Sequence, residues 1–370
     1  MTSVAEEPLA GYRVGVTAER RRDEMATLLR RRGAQVSIAS AIHLIPLVDD
    51  DQLRAATLEC IAAPCDDIVV TTGIGFRGWM EAADAWGLGD GLRDRLLGAR
   101  ILSRGPKATG AIRSSGLQEA WTAPSESTDE LVDHMLAGGV RGRRVALQLH
   151  GLPVEAICAR LEEAGAEVMQ VPVYRWDFPT DLAPLDRLLF EIAQRKLDAV
   201  TFTSALAVSA VLTRAIDLGI EGGVTRALRA SRPWACCVGP VTAAELVARG
   251  IPVITPARAR LGDLLRTISV ELPNRLDEPV QAGATTLRMR RDGVVVDGEF
   301  VALPETPMAI LRELALHRNE VVGRQRLLDL LPDAANANAL ETSIARLRAK
   351  LPVKGVIETV IKRGYRLAHG

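Results

Sequence analysis

The sequence predicts an α/β protein made of two similar parallel lobes, followed by a smaller C-terminal unit of different texture. Three observations carry this prediction. Apolar runs of strand length alternate with charged helical patterns through about residue 265, the signature of successive β-α-β units. The first half of that region repeats in the second. Beyond about Ile268 the alternation stops, and a polar stretch leads into short strands and three helical segments.

The repeat can be followed element by element. Gly11-Tyr-Arg-Val-Gly-Val-Thr17 opens a strand, a charged helix follows, and Gly33-Ala-Gln-Val36 begins the next strand. Gly142-Arg-Arg-Val-Ala-Leu-Gln148, a further helix and Gly165-Ala-Glu-Val168 restate that plan. Asp67-Ile-Val-Val-Thr-Thr is answered by Asp198-Ala-Val-Thr-Phe-Thr, and Arg104-Gly-Pro-Lys-Ala-Thr109 by Val238-Gly-Pro-Val-Thr242. Gly33 and Gly165 stand where helix C-caps belong. Loops at the carboxyl ends of parallel strands form the ligand side of such folds. That rule makes Thr17, Thr72, Gly73, Gly75, Thr109, Thr203, Ser204 and Thr242 candidate ligand-cleft residues.

The stretch Thr72-Gly-Ile-Gly-Phe-Arg-Gly78 contains G-x-G-x-x-G, a dinucleotide signature. Two features exclude that use. A dinucleotide fingerprint opens the first β-α-β unit, whereas this strand is the third, and the next strand ends without an acidic residue. The repeat partner carries Ser204 where these glycines stand.

Composition narrows the function classes. The chain has 370 residues, 48% hydrophobic and 4% aromatic, and no formal net charge. Such a length can bury sizeable cores without staples. Five cysteines, an odd number without a C-x-x-C pair, argue against a disulfide framework and a zinc knuckle, and the five histidines show no ligand spacing, so no metal is expected. The acidic N-terminal segment and the lack of any run near ~18 apolar residues point to a cytoplasmic protein with no membrane association.

The neutral total conceals an asymmetry. From Leu287 to Gly370 there are 14 Lys/Arg against 10 Asp/Glu, while the rest has 32 against 36. The basic end has the sign that DNA binding needs. Residues 268–284 are expected to be a linker, on their polar character, two prolines and absent periodicity. Hairpins are expected at Asp292-Gly293 and Asp297-Gly298. Helices are expected to start at Thr306-Pro307, to span Val321–Leu331 ahead of Pro332, and to begin at an Asn338–Glu341 capping box. The last helix places Leu340, Ile344, Leu347 and Leu351 on one face and Thr342, Ser343, Arg346 and Lys350 on the other. A terminal hairpin carries Lys362 and Arg363 near its tip.

This ending, a small β platform, L-P-E-T-P-M-A-I-L-R-E-L, I-A-R-L-R-A-K-L and a strand closing R-G-Y-R-L, resembles the winged-helix effector domain of OmpR/PhoB-type response regulators. The resemblance implies that the third helix enters the major groove of double-stranded DNA and that the wing touches the minor groove or backbone. Thr342, Ser343, Arg346, Arg348, Lys350, Lys362 and Arg363 are the candidate DNA contacts. The family's R-G-x-G-Y is shortened here to Arg363-Gly-Tyr365, and no receiver domain precedes it. A homodimer on DNA is expected.

The two-lobed part, with V-G-V-T, V-P-V-Y, F-T-S-A-L-A-V and V-G-P-V-T-A-A-E-L in order, looks like uroporphyrinogen-III synthase, which cyclises hydroxymethylbilane. The resemblance implies a crossover: lobe one about residues 10–44 plus 176–265, lobe two about 45–175, within a bilobal domain of 1–267 followed by a winged-helix domain of 285–370. The connecting strands would lie near Ile45–Leu47 and Pro172–Arg175. The family uses no cofactor; its proposed proton donor matches Tyr174, its loop threonines Thr109 and Thr242, and its strand-end serine Ser204. Two functions compete at this point. One is a transcriptional regulator sensing a small anionic ligand, such as a linear tetrapyrrole; the other is a working synthase with an appended regulatory domain.

Overall fold

A computed structural model describes residues 2–44, 47–149, 155–173, 176–331 and 337–369. The chain divides into two compact units, residues 42–178 and residues 1–41 with 179–370. The sequence placed the lobe boundaries a few residues away, at 44/45 and 175/176.

The unit of residues 42–178, lobe two, is built on a five-stranded parallel sheet. Its order is Trp121–Thr122, Arg100–Ser103, Asp67–Val70, Arg144–Gln148, Glu167–Val171. The sheet of the other unit, lobe one, has the order Val253–Ile254, Trp234–Cys237, Ala199–Phe202, Arg13–Val16, Gln35–Ile38. Each sheet therefore takes three strands from one repeat and two from the other, the crossover that the resemblance implied. Central strands Asp67–Val70 and Ala199–Phe202 are buried at all four positions. Covering by helices on both faces explains why they read as continuous apolar runs.

Helix ends repeat too. Gly33 (φ +89°) and Gly165 (φ +90°) lie in the left-handed region. Ala34 N–H bonds Leu29 O at 3.2 Å, and Ala166 N–H bonds Leu161 O at 3.0 Å. These are Schellman closures in which a side chain at the glycine would be strained.

In the unit that holds lobe one, residues 268–276 are not a linker. The helix Leu261–Leu276 runs through them, and Leu264, Leu265, Ile268 and Leu272 are buried at helical spacing. That apolar stripe outweighs Pro273. Pro279–Ala282 then forms a strand, which leaves the two residues Asp277-Glu278 as the connection. It joins an antiparallel sheet ordered Thr2–Ser3, Glu299–Ala302, Gly293–Val296, Thr285–Arg290, Pro279–Ala282. The turn at Asp297-Gly298 has both residues at positive φ, +48° and +92°, as a two-residue hairpin requires. Arg291-Asp292 forms the other turn, so Gly293 is the first residue of the following strand.

Three helices follow, with boundaries that differ from those expected. The first is Glu305–Leu316, with Pro304 rather than Thr306 at its N-cap. The second shrinks to Arg324–Leu328, because Val322–Gly323 pair with Gly364 and Tyr365 as a strand. The third, Ala337–Lys350, already contains Asn338, so Asn338–Glu341 is no cap; Pro332 lies outside the described residues. Leu340, Ile344, Leu347 and Leu351 are buried in one core with Leu311, Leu314 and Tyr365. The wing is Ile357–Val360 against Gly364–Leu367.

Candidate functional site

In lobe two the strand-end loops enclose a cavity of about 420 Å³, bordered by Thr72, Gly73, Arg77, Arg104, Lys107 and Glu126 among others. Thr72 is the N-cap of the helix Gly73–Ala85, and its hydroxyl accepts from Gly75 N–H at 3.2 Å. The glycines of G-x-G serve packing. A Cβ on Gly73 would lie 2.1 Å from Lys107 O, and one on Gly75 would lie 2.6 Å from both Thr72 Oγ1 and Val173 Cγ2. The close approach that the motif permits is thus used by the Gly-Pro loop and by Val173.

The cations of this pocket carry no sequence motif of their own. Arg77, Arg104 and Lys107 make no side-chain hydrogen bond or ion pair among the described residues. Desolvation lowers the Arg104 pKa, which nearby Glu126 only partly offsets. Three positive groups around one acid make the pocket suited to an anion. Arg104 and Lys107 flank the Gly-Pro dipeptide, and that position was the signal available.

In lobe one Ser204 caps the helix Ala205–Asp217, accepting from Ala207 N–H at 3.2 Å. Sheet pairing corrects the repeat alignment here. Asp67 pairs with Arg100 as Ala199 pairs with Trp234, so Ser204 corresponds to Thr72, one residue before Gly73. The hydroxyl that the glycines seemed to replace is retained. The same shift makes Asp66 the partner of Asp198, and the two do the same work. Asp66 Oδ2 accepts from Arg144 N–H at 2.7 Å, and Asp198 Oδ2 from Arg13 N–H at 2.8 Å.

The remaining strand-end candidates differ in availability. Thr17 is fully buried, and its hydroxyl donates to Thr201 O at 2.7 Å, which makes it a strap between strands. Thr203 is half-buried and makes no side-chain hydrogen bond among the described residues. Thr109 donates to Ser103 Oγ at 2.9 Å and meets Thr122 Oγ1 at 3.0 Å, while Thr242 is 5% exposed. They are not equivalent: Gly105 and Gly239 are the N-caps, and Thr109 stands one position further into its helix than Thr242. Tyr174 lies outside the described residues, as do Ile45, Pro46 and Arg175 of the expected connecting strands. Burial pushes the Cys237 thiol up to about 12, so it stays protonated at the strand end.

In the C-terminal part, Thr342, Arg346 and Lys350 are exposed on the helix Ala337–Lys350 and Ser343 is half-exposed beside them. Thr342 Oγ1 donates to Asn338 O at 2.8 Å. Lys362 and Arg363 are exposed at the wing tip. Gly364 is demanded there, since a Cβ would lie 2.0 Å from Val322 O. Arg348 is committed elsewhere: Nε and Nη2 donate to Ile357 O at 3.1 and 2.8 Å, and Nη2 donates to Thr359 Oγ1 at 2.9 Å. It braces the wing against the helix. Arg346 and Lys350 on the helix and Lys362 and Arg363 at the wing tip are exposed cations.

Comparison with known proteins agrees with this division. Residues 23–266 match the family described as uroporphyrinogen-III synthase HemD, and residues 298–367 match the C-terminal domain of transcriptional regulatory proteins. An uncharacterised protein of Bacillus subtilis is 27% identical over 271 residues, 73% of this chain and 98% of that protein. The two-component response regulator PhoP of Pseudomonas aeruginosa is 35% identical over 113 residues, 29% of this chain and 48% of that one. A mutant uroporphyrinogen III synthase of Thermus thermophilus superposes with a TM-score of 0.58 at 28% identity, covering 71% of this chain and all of that one. Among the described residues no helix is long and apolar enough to cross a membrane. The chain belongs to the uroporphyrinogen-III synthase HemD family and carries, at its C-terminal end, an OmpR/PhoB-type DNA-binding domain of transcriptional regulators.

Proposed function

We propose that the protein is a one-component, cytoplasmic transcription regulator whose HemD-like lobes bind a small anionic ligand, related to the linear tetrapyrroles, and thereby change its affinity for DNA. The cationic pocket of lobe two carries this reading. Its 420 Å³ suits a small ligand or one acidic arm of a larger one, and its three cations, unpaired among the described residues, suit carboxylates. Regulation requires different ligand affinities in the DNA-competent and incompetent states. A single winged helix reaches few bases, so a homodimer on paired half-sites is the operating form.

The test is DNA binding by the full chain with and without hydroxymethylbilane as probe. A change in DNA affinity of roughly fivefold or more is expected, a typical coupling strength. Arg104→Gln should abolish the response while leaving ligand-free DNA binding intact. Equal DNA affinity with and without the probe refutes regulation by this ligand. Formation of the type III cyclic product above the spontaneous type I isomer would identify a catalyst instead.

A further inference from the structure

A second cationic cavity lies within the unit of residues 1–41 and 179–370. Its volume is about 570 Å³, and it lies between lobe one and the DNA-binding domain. Six arginines border it, Arg195 and Arg232 from lobe one and Arg290, Arg291, Arg312 and Arg318 from the C-terminal part, against the acids Asp198 and Glu278.

Ion pairing sorts these arginines into two sets. Arg290 is neutralised by Asp277 at 2.9 Å, Arg291 by Asp198 at 3.0 Å, and Arg318 by Glu278 at 2.7 Å. The other three make no ion pair within 4 Å among the described residues. Arg312 Nη2 donates only to the carbonyls of Arg290 and Arg291, at 2.7 and 2.8 Å. The Arg195 and Arg232 side chains make no hydrogen bond or ion pair among the described residues. Desolvation, followed by repulsion from Arg291, lowers the Arg312 pKa; Asp198 and Asp292 offset this in part, and Arg232 adds to the repulsion. Backbone carbonyls fix the Arg312 guanidinium in place, so the like charges are not relieved by its swinging away.

We infer that this groove binds a small, multiply charged anion, one bearing two or more phosphate or carboxylate groups, at the joint between lobe one and the DNA-binding domain. Guanidinium forks are suited to both oxyanions, and the apolar flanks supplied by Leu276, Val280 and Met289 keep the site partly dry. Arg195 and Arg232 approach from one side and Arg312 from the other, so the anion cross-links two domains. The site is independent of the lobe two pocket and does not rest on its proposed role.

The test is isothermal titration of the full chain with tripolyphosphate and, separately, citrate at constant ionic strength. Saturable binding of at least one probe is expected, the tighter one naming the anion class. The Arg195→Gln/Arg232→Gln variant should bind at least tenfold more weakly with an unchanged ligand-free melting temperature, since both side chains are exposed and unpaired among the described residues. Arg30→Gln, exposed and outside both cavities, should bind as the parent does. No saturable binding, equal affinity in the double variant, or an equal loss in Arg30→Gln would overturn the inference. So would a double variant that loses DNA affinity alone, because the groove would then belong to the DNA-binding face.

Discussion

Lobe one and lobe two begin their sheets in the same way, yet finish the job with different partners. In lobe two, Asp66 holds the N–H of Arg144, and the Arg144 side chain pairs with Glu59 at 2.7 Å and Glu167 at 3.1 Å, all within that lobe. Asp67, fully buried, is held by Arg100 at 2.6 Å and Arg143 at 2.7 Å. In lobe one, Asp198 holds the N–H of Arg13, but its other partner is Arg291 of the C-terminal platform at 3.0 Å. Arg13 pairs with Asp292 of that platform at 2.8 Å. Equivalent positions thus close on themselves in one lobe and reach for the DNA-binding domain in the other. The duplicated fold supplied two similar strand-start edges, and that of lobe one carries the C-terminal platform.

The docking is reinforced by a cluster with no counterpart among the described residues of lobe two. Arg290 and Asp277 are both buried and paired at 2.9 Å; Arg290 also donates to Ala10 O at 2.8 Å and lies 4.7 Å above the Tyr12 ring. The Tyr12 hydroxyl donates to Asp277. Burial, then the Asp277 charge, raises the Tyr12 pKa far above the ordinary phenol value, so the hydroxyl remains a donor. Breaking this cluster should have the largest effect. Asp277→Asn strands Arg290 as a buried charge, and a loss of about 3–5 kcal/mol is expected for the unit containing lobe one, by urea denaturation. A loss below about 1 kcal/mol would mean that the cluster is not what secures the platform.

The docking edge itself should respond next. Arg291→Gln removes charged hydrogen bonds to Asp198, with an expected cost of about 1.5–3 kcal/mol. Hydrogen exchange should rise in the hairpin Thr285–Val296 and stay unchanged in Asp67–Val70. Equal acceleration in both lobes would dissolve the contrast between them. Arg346→Ala should then weaken DNA binding by about 1–3 kcal/mol without altering the melting temperature, by titration of labelled duplex. Unchanged affinity would remove Arg346 from the reading face.

The smallest effect sharpens the equivalence of the repeats. Thr72→Ala and Ser204→Ala each delete one N-cap acceptor, and each should cost about 1 kcal/mol by calorimetry. A clear cost at only one of them would undo the assigned correspondence.

Much of this was legible in the sequence because it is local. Alternating strands and helices, the paired glycines Gly33 and Gly165, and the buried stripe of Leu340, Ile344 and Leu347 each follow from a periodicity or a cap. What was missed depends on distant partners. The pairing of Thr2–Ser3 with Phe300 and Glu299 leaves no pattern in two residues. Arg13 with Asp292 and Arg291 with Asp198 look like ordinary solvated charges until the fold joins them. The one-residue shift that matches Thr72 to Ser204 is visible only in strand register, since both alignments put a hydroxyl near the strand end. The helix through Leu272 was hidden by Pro273 and by polar neighbours on its exposed face. In the strand-end loops the hydroxyls draw attention, whereas the charges of Arg77, Arg104 and Lys107, unpaired among the described residues, emerge only when their surroundings are known.

The crossover of strands between the repeats also fixes an order of events during synthesis. Lobe two is one continuous segment, residues 42–178, and can form as soon as it has left the ribosome. Arg13–Val16 and Gln35–Ile38 emerge earlier but must wait for Ala199–Phe202, the strand that connects them to the rest of their sheet. The first-made strands are therefore completed after the middle of the chain, and the edge on which the DNA-binding domain docks exists only then. A fragment ending just before residue 199 would hold a complete lobe two and an open pair of strands, so the regulator's two halves mature in the reverse of the order in which they begin.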